Sequence, residues 1–479
     1  MILTNAWLVT MDDAGTEYER GWLRIEGGRI AALGPGDPEE RRPGAEPTPP
    51  PWVGSGPPAT RQDRRSEAGG GTSRPSQQNG ESLLDLRGAV VTPGLVNTHH
   101  HLYQTLTRAQ AQQADLFTWL RTLYPTWARI DAELEYAAAR TGLAELALSG
   151  CSTVFDHHYV FPRGVDGLVE AEIAAARELG VRIVASRGSM DLGRSEGGLP
   201  PDELAEDAEH VLAETERLAA LADDADGRVQ LAVAPCSPFS VTTMLMEQSA
   251  ELARRLGLRL HTHLAETVEE ERYCRELYGC TPVEYLERVG WLADDAWCAH
   301  CVHISDAEAR RFAVAGVGVA HCPTSNLRLG AGIAPVRTLL DAGCRVGLGV
   351  DGSASNERGD LLFETKQALL VARARGGPGA MSARGALRLA TRGGASVLGR
   401  DDIGSLEVGK RADVAVWRTD RLELAGANDL VAGLVLSAPH RVDLLYVGGD
   451  EVVRDGRLVN GNEEEIAREH RIQARRLAG

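Results

Sequence analysis

After Gly94 the chain alternates between short apolar runs and longer amphipathic runs. The eight short runs are AVVTPGLVNTHHH, CSTVFDHHY, VRIVASRG, VQLAVAPC, LRLHTHLAE, WCAHCV, VGVAHCP and RVGLGVDG. The runs between them, such as GLVEAEIAAAREL and MEQSAELARRLG, repeat apolar residues at helical spacing and end near a glycine. Eight consecutive β/α units predict an α/β fold, with a (β/α)8 TIM barrel over residues 91–399.

The two ends of the chain share a pattern of short strands joined by tight turns. The segments are WLRIEGGRIAALG and SLLDLRGAVVTPG near the start, and GSLEVGKRADVAVW and RVDLLYVGGDEVVRDGRLVNG near the end. We expect residues 1–90 and 400–460 to form one small β-sandwich, followed by a tail helix over 461–479. Residues 35–80, rich in Pro, Gly, Ser and charge, predict a disordered insert within it.

Composition narrows the class of function. The 479 residues are 43% hydrophobic and 25% charged, and they contain no apolar run of membrane-spanning length. The N-terminal residues lack the basic start and apolar block of a secretion signal, so we expect a cytoplasmic protein. A net charge of -17 disfavours nucleic acid and anionic membranes as partners and favours a small neutral or cationic substrate. The eight cysteines lack paired zinc-finger spacing and predict buried thiols.

Polar residues gather at the carboxyl ends of the predicted strands, where barrels of this type form their active sites. Five of the eight strands end in histidine or carboxylate side chains, namely His99, His101, His263, Glu266, His300, His321 and Asp351. Three neutral imidazoles and one carboxylate can hold a divalent ion and leave a position open for water, which is the catalytic pattern. Zinc and ferrous iron both suit such ligands.

Strand geometry separates the histidines of VNTHHHLYQ from one another. His99 and His101 share one face, whereas His100 faces away and is expected to pack beneath a loop. His261 lies one pleat deeper than His263, where we expect a core or supporting role. Substrate contact and loop support are equal alternatives for three histidines after strand ends, His157, His158 and His303.

Lysine content bears on the number of metal ions. The two lysines, Lys366 and Lys410, lie outside the predicted barrel strands, so a lysine carbamate cannot bridge two ions. The third and fourth strands offer no bridging carboxylate. We therefore predict one divalent metal per chain.

Five motifs together resemble the aminohydrolase branch of the amidohydrolase superfamily: PGLVNTHHH, HTHLAE, AHCVH, HCPTSN and VDGSASN, with GKRADVAVW resembling the returning strand of the family's sandwich. Over residues 90 to 460 a nearer resemblance is to the 8-oxoguanine deaminases, also labelled hydroxydechloroatrazine ethylaminohydrolases. It rests on NTHHHLYQTLTRA, LFTWLRTLYPTWARI, SGCSTVFDHHYVFP, RGSMDLG and APCSPFSVT.

The resemblance implies a single metal ion, with zinc the first choice, held by His99, His101, His263 and Asp351. It implies that Asp351 accepts a proton from the attacking water, Glu266 protonates the ring nitrogen beside the attacked carbon, and His300 orients the hydroxide. Attack at C2 of 8-oxoguanine would give urate and ammonia. Barrels of this family often pair, so we expect a homodimer or a higher even-numbered homo-oligomer.

Residues that contact the substrate are expected on the loops of the rim. We select Tyr103, Gln104 and Arg187, because amides, hydroxyls and guanidinium groups can all bind purine edges. Trp119 and Tyr124 would form apolar walls over the mouth, with plain helix packing as an equal alternative. His321 joins this group as a residue near the site, since the set of four ligands is complete without it.

The sequence is also compatible with other activities. Guanine, a pterin such as isoxanthopterin, or a hydroxylated triazine would use the same chemistry, and small pocket changes alter specificity by only about 1–3 kcal/mol. A catalytically dead binding or scaffold protein is the alternative of another class. The complete ligand set together with Glu266 argues against it.

Overall fold

The computed structural model describes residues 1–38, 82–222, 226–439 and 441–479. The insert predicted over 35–80 lies outside these described residues, apart from its first four positions. In chain order the strands are β1 (Ile2–Val9), β2 (Glu17–Glu26), β3 (Arg29–Pro35), β4 (Leu83–Asp85), β5 (Val90–Pro93), β6 (Leu95–Asn97), β7 (Cys151–Phe155), β8 (Arg182–Ser189), β9 (Val229–Pro235), β10 (Arg259–Leu264), β11 (Ala296–His300), β12 (Gly318–His321), β13 (Arg345–Leu348), β14 (Val414–Trp417), β15 (Leu444–Val447), β16 (Asp450–Arg454) and β17 (Arg457–Leu458).

The helices lie mainly between the strands of the barrel. They are α1 (Leu116–Trp127), α2 (Ala132–Leu148), α3 (Leu168–Leu179), α4 (Ala208–Ala219), α5 (Thr243–Leu256), α6 (Val268–Tyr278), α7 (Pro282–Arg288), α8 (Asp306–Ala315), α9 (Pro323–Arg328), α10 (Val336–Ala342), α11 (Leu361–Gly376), α12 (Ala383–Arg388), α13 (Gly394–Val397), α14 (Leu430–Ser437) and α15 (Glu463–Ala478). Within the described residues, none of them is long and apolar enough to cross a membrane.

Strands β6 to β13 close into a parallel barrel, which confirms the predicted fold. Each of these strands overlaps one of the eight short runs of the sequence and extends at most one residue beyond it. The barrel closes where Asn97 of β6 pairs with Leu348 of β13. Below the carboxyl ends, the rings of Phe155 and Trp297 fill the interior, with centroids 4.8 Å apart. The site at the carboxyl ends of the strands therefore lies on a packed base.

The N-terminal and C-terminal strands join in one mixed sheet of nine strands. Strand β5 connects the two ends, because it pairs in parallel with β1 and antiparallel with β14. Leu8, Val91 and Val414 belong to a hydrophobic cluster that is separate from the main core of the barrel. The predicted association of the chain ends is thus confirmed, and its strands form a continuous sheet.

Local signals in the sequence explain where several helices begin and end. Thr281 and Ser305 begin α7 and α8 with capping boxes. In each, the hydroxyl of the first residue accepts from the backbone N–H of the glutamate three positions later, and that glutamate's side chain accepts from the backbone N–H of the first residue. Gly316 ends α8 with a φ of 74°, in the left-handed region that costs glycine little. At the C-terminus, α15 packs on α2, and His470 Nε2 donates a hydrogen bond to the carbonyl oxygen of Thr105 over 3.0 Å.

Candidate active site

Four side chains converge at the carboxyl ends of β6, β10 and β13, and we call them the histidine cluster: His99, His101, His263 and Asp351. All four are buried. His101 Nε2 lies 3.1 Å from His263 Nε2. Asp351 Oδ1 lies 3.3 Å from His99 Nε2 and 3.2 Å from His101 Nε2. Four potential donor atoms therefore surround one point.

Hydrogen bonds behind the rings decide which nitrogen atoms face that point. His101 Nδ1 donates to the carbonyl oxygen of His157 over 2.7 Å, and His263 Nδ1 donates to that of Cys236 over 2.7 Å. A carbonyl oxygen only accepts, so each ring carries a hydrogen on Nδ1, and a ring that ligates a metal through Nε2 carries no other. Each Nε2 then presents a bare lone pair.

His99 also carries its hydrogen on Nδ1, but its partner is the ring of another histidine, His261. His261 Nδ1 lies 3.1 Å from the carbonyl oxygen of Trp297 and must donate to it. His261 Nε2 is then an acceptor, and His99 Nδ1 donates to it over 2.9 Å. His261, predicted to support the site from one pleat deeper, lies in this supporting position.

The donor atoms of the histidine cluster fit a small divalent ion. A five-coordinate zinc ion with ligand bonds of about 2.0–2.2 Å holds neighbouring ligand atoms about 2.8–3.8 Å apart and leaves its fifth position for water. The spacings of 3.1 to 3.3 Å lie within that range. Burial lowers the pKa of His99 to about 3 and that of His263 well below its ordinary value, so both rings are neutral, as metal ligands must be. Opposed lone pairs repel each other, and a cation between them removes that repulsion.

Asp351 and His300 both lie at the rim in strained backbone conformations. Their φ angles are 62° and 71°, and those of Ala265 and Cys301 nearby are also positive. Non-glycine residues rarely adopt this left-handed region, and such outliers concentrate at functional sites. The Asp351 carboxylate oxygen faces the bare Nε2 atoms of His99 and His101, so a cation held at this point would favour the ionised form of Asp351.

Glu266 and His300 face each other next to the histidine cluster. Glu266 Oε2 lies 3.5 Å from His300 Nε2, and both side chains are buried. Burial, reinforced by the charge of Asp351, raises the pKa of Glu266 well above its ordinary value. A carboxyl group that keeps its proton at neutral pH is suited to donate it.

A cavity opens above these residues and has largely apolar walls. Its lining comprises His101, Gln104, Leu116, Trp119, Leu120, Tyr124, Tyr159, Cys236, Phe239, His263, Glu266, His300, Leu329, Asp351 and Ser355. Such a shape suits a flat heterocycle with a few polar edges.

The structure brings some of the predicted substrate residues to the cavity and not others. Gln104, Trp119 and Tyr124 line it, and Trp119 Nε1 donates to the carbonyl oxygen of Ala354 over 3.2 Å. Tyr103 lies directly behind, with its hydroxyl 3.5 Å from the amide nitrogen of Gln104. A Cβ atom added to Gly352 would lie 1.9 Å from Gln104 Oε1, so glycine at that position makes room for this amide.

Arg187 and His321 lie outside the lining of the cavity. Arg187 forms an ion pair with Glu206 at 2.6 Å and packs over the ring of Phe161, beside a separate cavity between α3 and α4. His321 is buried, and neither of its ring nitrogens has a hydrogen-bond partner among the described residues. Among the histidines after strand ends, His303 donates to the carbonyl oxygen of Ala331 over 2.9 Å, which supports a loop.

A second buried group, which we call the acid cluster, lies behind the 3₁₀ segment Leu102–Thr107. Its members are Glu135, Asp156, His158 and Glu172, all fully buried. His158 Nε2 donates to the carbonyl oxygen of Val160 over 2.9 Å, and His158 Nδ1 lies 2.9 Å from Glu172 Oε1 and 3.7 Å from Glu135 Oε2. Burial disfavours the charged imidazole, yet these two carboxylates raise the pKa of His158 well above its ordinary value. Asp156 Oδ1 accepts from the backbone N–H of Leu102 over 2.7 Å.

Sequence reasoning missed several residues of the site. Tyr159, Cys236, Phe239 and Ser355 line the cavity, and Asn326 contacts His300 at 2.9 Å. Each lies at the end of a short run predicted as a barrel strand or a few positions after it, so the rule that strand ends and the loops after them form the site is the signal that could have found them. The eight cysteines, including Cys236, are buried free thiols, as predicted.

Comparisons with known proteins agree with this architecture. Residues 90–452 match the sequence model that defines the amidohydrolase family. The 8-oxoguanine deaminase of Pseudomonas aeruginosa is 48% identical over 400 residues, which cover 83% of this chain and 89% of that protein. An isoxanthopterin deaminase from an unknown prokaryotic organism is 39% identical over 422 residues, which cover 83% and 88%.

The comparison with solved structures gives the same result. The crystal structure of atrazine chlorohydrolase from Arthrobacter aurescens TC1, complexed with zinc, has a TM-score of 0.87 and 33% sequence identity, and 99% of each chain is covered. The resemblance inferred from the motifs is confirmed. This chain belongs to the amidohydrolase family and is a hydrolase that acts on C–N bonds.

Proposed function

We propose that the protein is a zinc-dependent hydrolytic deaminase that converts 8-oxoguanine and water to urate and ammonia. The observation that carries the proposal is the position of the buried Glu266 carboxyl, 3.5 Å from His300 Nε2, beside a histidine cluster whose bare nitrogens face one point. The 48% identity to an 8-oxoguanine deaminase supports the choice of substrate. The zinc complex of the atrazine chlorohydrolase supports the choice of metal.

The proposed ligands of the ion are His99, His101, His263 and Asp351. When bound, a zinc ion would lower the pKa of water and supply a nucleophile near neutral pH. The backbone carbonyls of His157 and Cys236 hold the rings of His101 and His263 with their hydrogens turned away. These supporting contacts keep the ligand set in place before any ion binds.

Two carboxyl groups in different protonation states carry out the proton transfers. Asp351, ionised as a metal ligand must be, accepts one proton of the attacking water. Glu266 is protonated and gives its proton to the ring nitrogen beside C2. A new C–O bond forms at C2, the bond from C2 to the exocyclic amine breaks, and the amine leaves as ammonia with the remaining protons. The oxo group replaces the amine, so that atoms balance without an oxidant or reductant.

Substrate binding is assigned to the lining of the cavity. Gln104 offers both a donor and an acceptor to a purine edge. Leu116, Trp119 and Phe239 provide apolar surface for the faces of a flat ring. Tyr103 would orient Gln104 from behind.

The test is ammonia release by zinc-loaded protein offered 8-oxoguanine, guanine, isoxanthopterin and a hydroxylated triazine side by side. We expect 8-oxoguanine to exceed the others in kcat/KM by at least about 100-fold. Glu266→Gln should lower the rate about 10²–10⁴-fold, as expected for loss of a general acid. The matched control is Glu271→Gln, five positions further along the chain on the partly exposed surface of α6. No turnover of 8-oxoguanine by fully metal-loaded protein would refute the substrate, and equal effects of the two glutamine variants would refute the acid.

A further inference from the structure

His300 is held by a buried amide that the proposed reaction does not yet use. Asn326 lies in α9, after the neighbouring strand β12, and is 1% exposed. Its Oδ1 lies 2.9 Å from His300 Nδ1. The contact therefore joins the ends of two adjacent strands, β11 and β12, at the level of the site.

This contact sets the position of the hydrogen on the His300 ring. The amide oxygen only accepts, so Nδ1 must carry the hydrogen. In the neutral ring Nε2 is then a bare acceptor, and it lies 3.5 Å from Glu266 Oε2. An acceptor at this position can receive a hydrogen bond from the protonated carboxyl of Glu266 or from an attacking water.

We propose that Asn326 is a positioning residue, which fixes both the orientation and the tautomer of His300 so that Nε2 presents its lone pair to the cavity. The proposal deepens the proposed function and rests on it for its catalytic consequence. Buried hydrogen bonds of this kind are known to select one histidine tautomer, because the other would leave a buried polar atom unpaired.

The opposite orientation of the amide makes a contrary prediction. Asn326 Nδ2 has no hydrogen-bond partner among the described residues, and rotating the amide by half a turn would bring this nitrogen to face His300. It would then donate to His300 Nδ1, and the ring hydrogen would be on Nε2. Asp and Leu at position 326 separate the two cases. Aspartate can only accept and preserves the proposed tautomer, whereas leucine has a similar shape and forms no hydrogen bond.

The first test reads the tautomer without any substrate. Zinc-loaded protein labelled with ¹⁵N in its histidines is studied by NMR, and the His300 signals are assigned by their loss in His300→Gln. The expected spectrum shows hydrogen on Nδ1 and none on Nε2 for the wild type and Asn326→Asp, and a mixture for Asn326→Leu. Hydrogen on Nε2 in the wild type, or an unchanged spectrum in Asn326→Leu, overturns the proposal.

The second test asks whether Asn326 acts through His300. With the amine that the wild type deaminates fastest, Asn326→Leu should lower kcat at least about tenfold and change KM less than about threefold. In the His300→Gln background the same substitution should change kcat less than about threefold, because coupled residues are not additive. Equal effects in both backgrounds overturn the proposal. Metal content and melting temperature, measured for every variant, separate this outcome from loss of the fold.

The two tests fail separately from the proposed function. If another heterocycle is the better substrate, the NMR result and the double-mutant cycle still decide the role of Asn326. If no heterocycle is deaminated, the NMR result decides it alone.

Discussion

The histidine cluster and the acid cluster are both buried, and both include side chains that could ligate a metal. They differ in the kind of cation that can stabilise their buried polar atoms, a metal ion in one cluster and a proton in the other. In the histidine cluster, two bare nitrogens lie 3.1 Å apart, and each of these two rings donates a hydrogen bond from Nδ1 to a backbone carbonyl oxygen. In the acid cluster, an imidazole lies 2.9 Å from a carboxylate, and one proton between them makes a favourable pair.

The difference shows that residue types alone do not define a metal site. The hydrogen bonds behind the rings determine whether the lone pairs face a common point, and this second shell of contacts is as informative as the ligands. We therefore expect the ion in the histidine cluster, and protons in the acid cluster.

The largest expected effect comes from breaking the histidine cluster. His263→Ala removes one of the four donor atoms and leaves the others too few for tight binding. We expect loss of the bound metal and a fall in kcat/KM of at least about 10³-fold, since the ion lowers the activation barrier by several kcal/mol. Metal analysis and ammonia release check this result, and retention of a full equivalent of metal would contradict it.

A smaller effect, on stability and not on metal, is expected in the acid cluster. His158→Leu removes the one base among three buried carboxyl groups and should lower the free energy of unfolding by about 3–5 kcal/mol. Denaturant unfolding measures the change. The metal content should stay as in the wild type, and a loss of metal from this variant would place an ion in the acid cluster instead.

The smallest expected effect depends on pH. Burial raises the pKa of Glu172 to about 7 from an ordinary value of 4.5. Between these values the folded protein keeps a proton that the unfolded chain releases, so this contribution to stability is present below about pH 4.5 and is lost as the pH rises through about 7.

Glu172→Gln removes this contribution. The stability of the wild type relative to the variant should therefore fall by about 1–3 kcal/mol between pH 4.5 and pH 8. Parallel unfolding curves at both pH values measure it. A difference that grows with pH would mean that Glu172 is ionised in the folded protein.

The sequence was sufficient for the barrel because its signals are local. Each strand is a short apolar run bounded by turn residues, and the ends of parallel strands must share one rim, which brings His99, His263 and Asp351 together. The continuous sheet of the chain ends could not be read in the same way. Its central contact pairs β5 with β14 across more than 300 positions, and periodicity gives no register over such a distance.

The contacts of several buried side chains could not be predicted from the sequence either. Glu135 and Glu172 lie on helices α2 and α3, where a glutamate would ordinarily face solvent, and only the packing of the two helices buries them around His158. Arg187 belongs to a barrel strand, and its neighbours Glu206 and Phe161 come from two separate loops.

The most direct test of the account is a zinc titration of metal-free protein, with ammonia release from 8-oxoguanine measured at each step. We predict that the rate rises in proportion to zinc and reaches its plateau at one ion per chain, and that Glu172→Gln gives the same plateau. A plateau at two ions, or no turnover at any loading, would contradict the assignment of a single catalytic ion to the histidine cluster of an 8-oxoguanine deaminase.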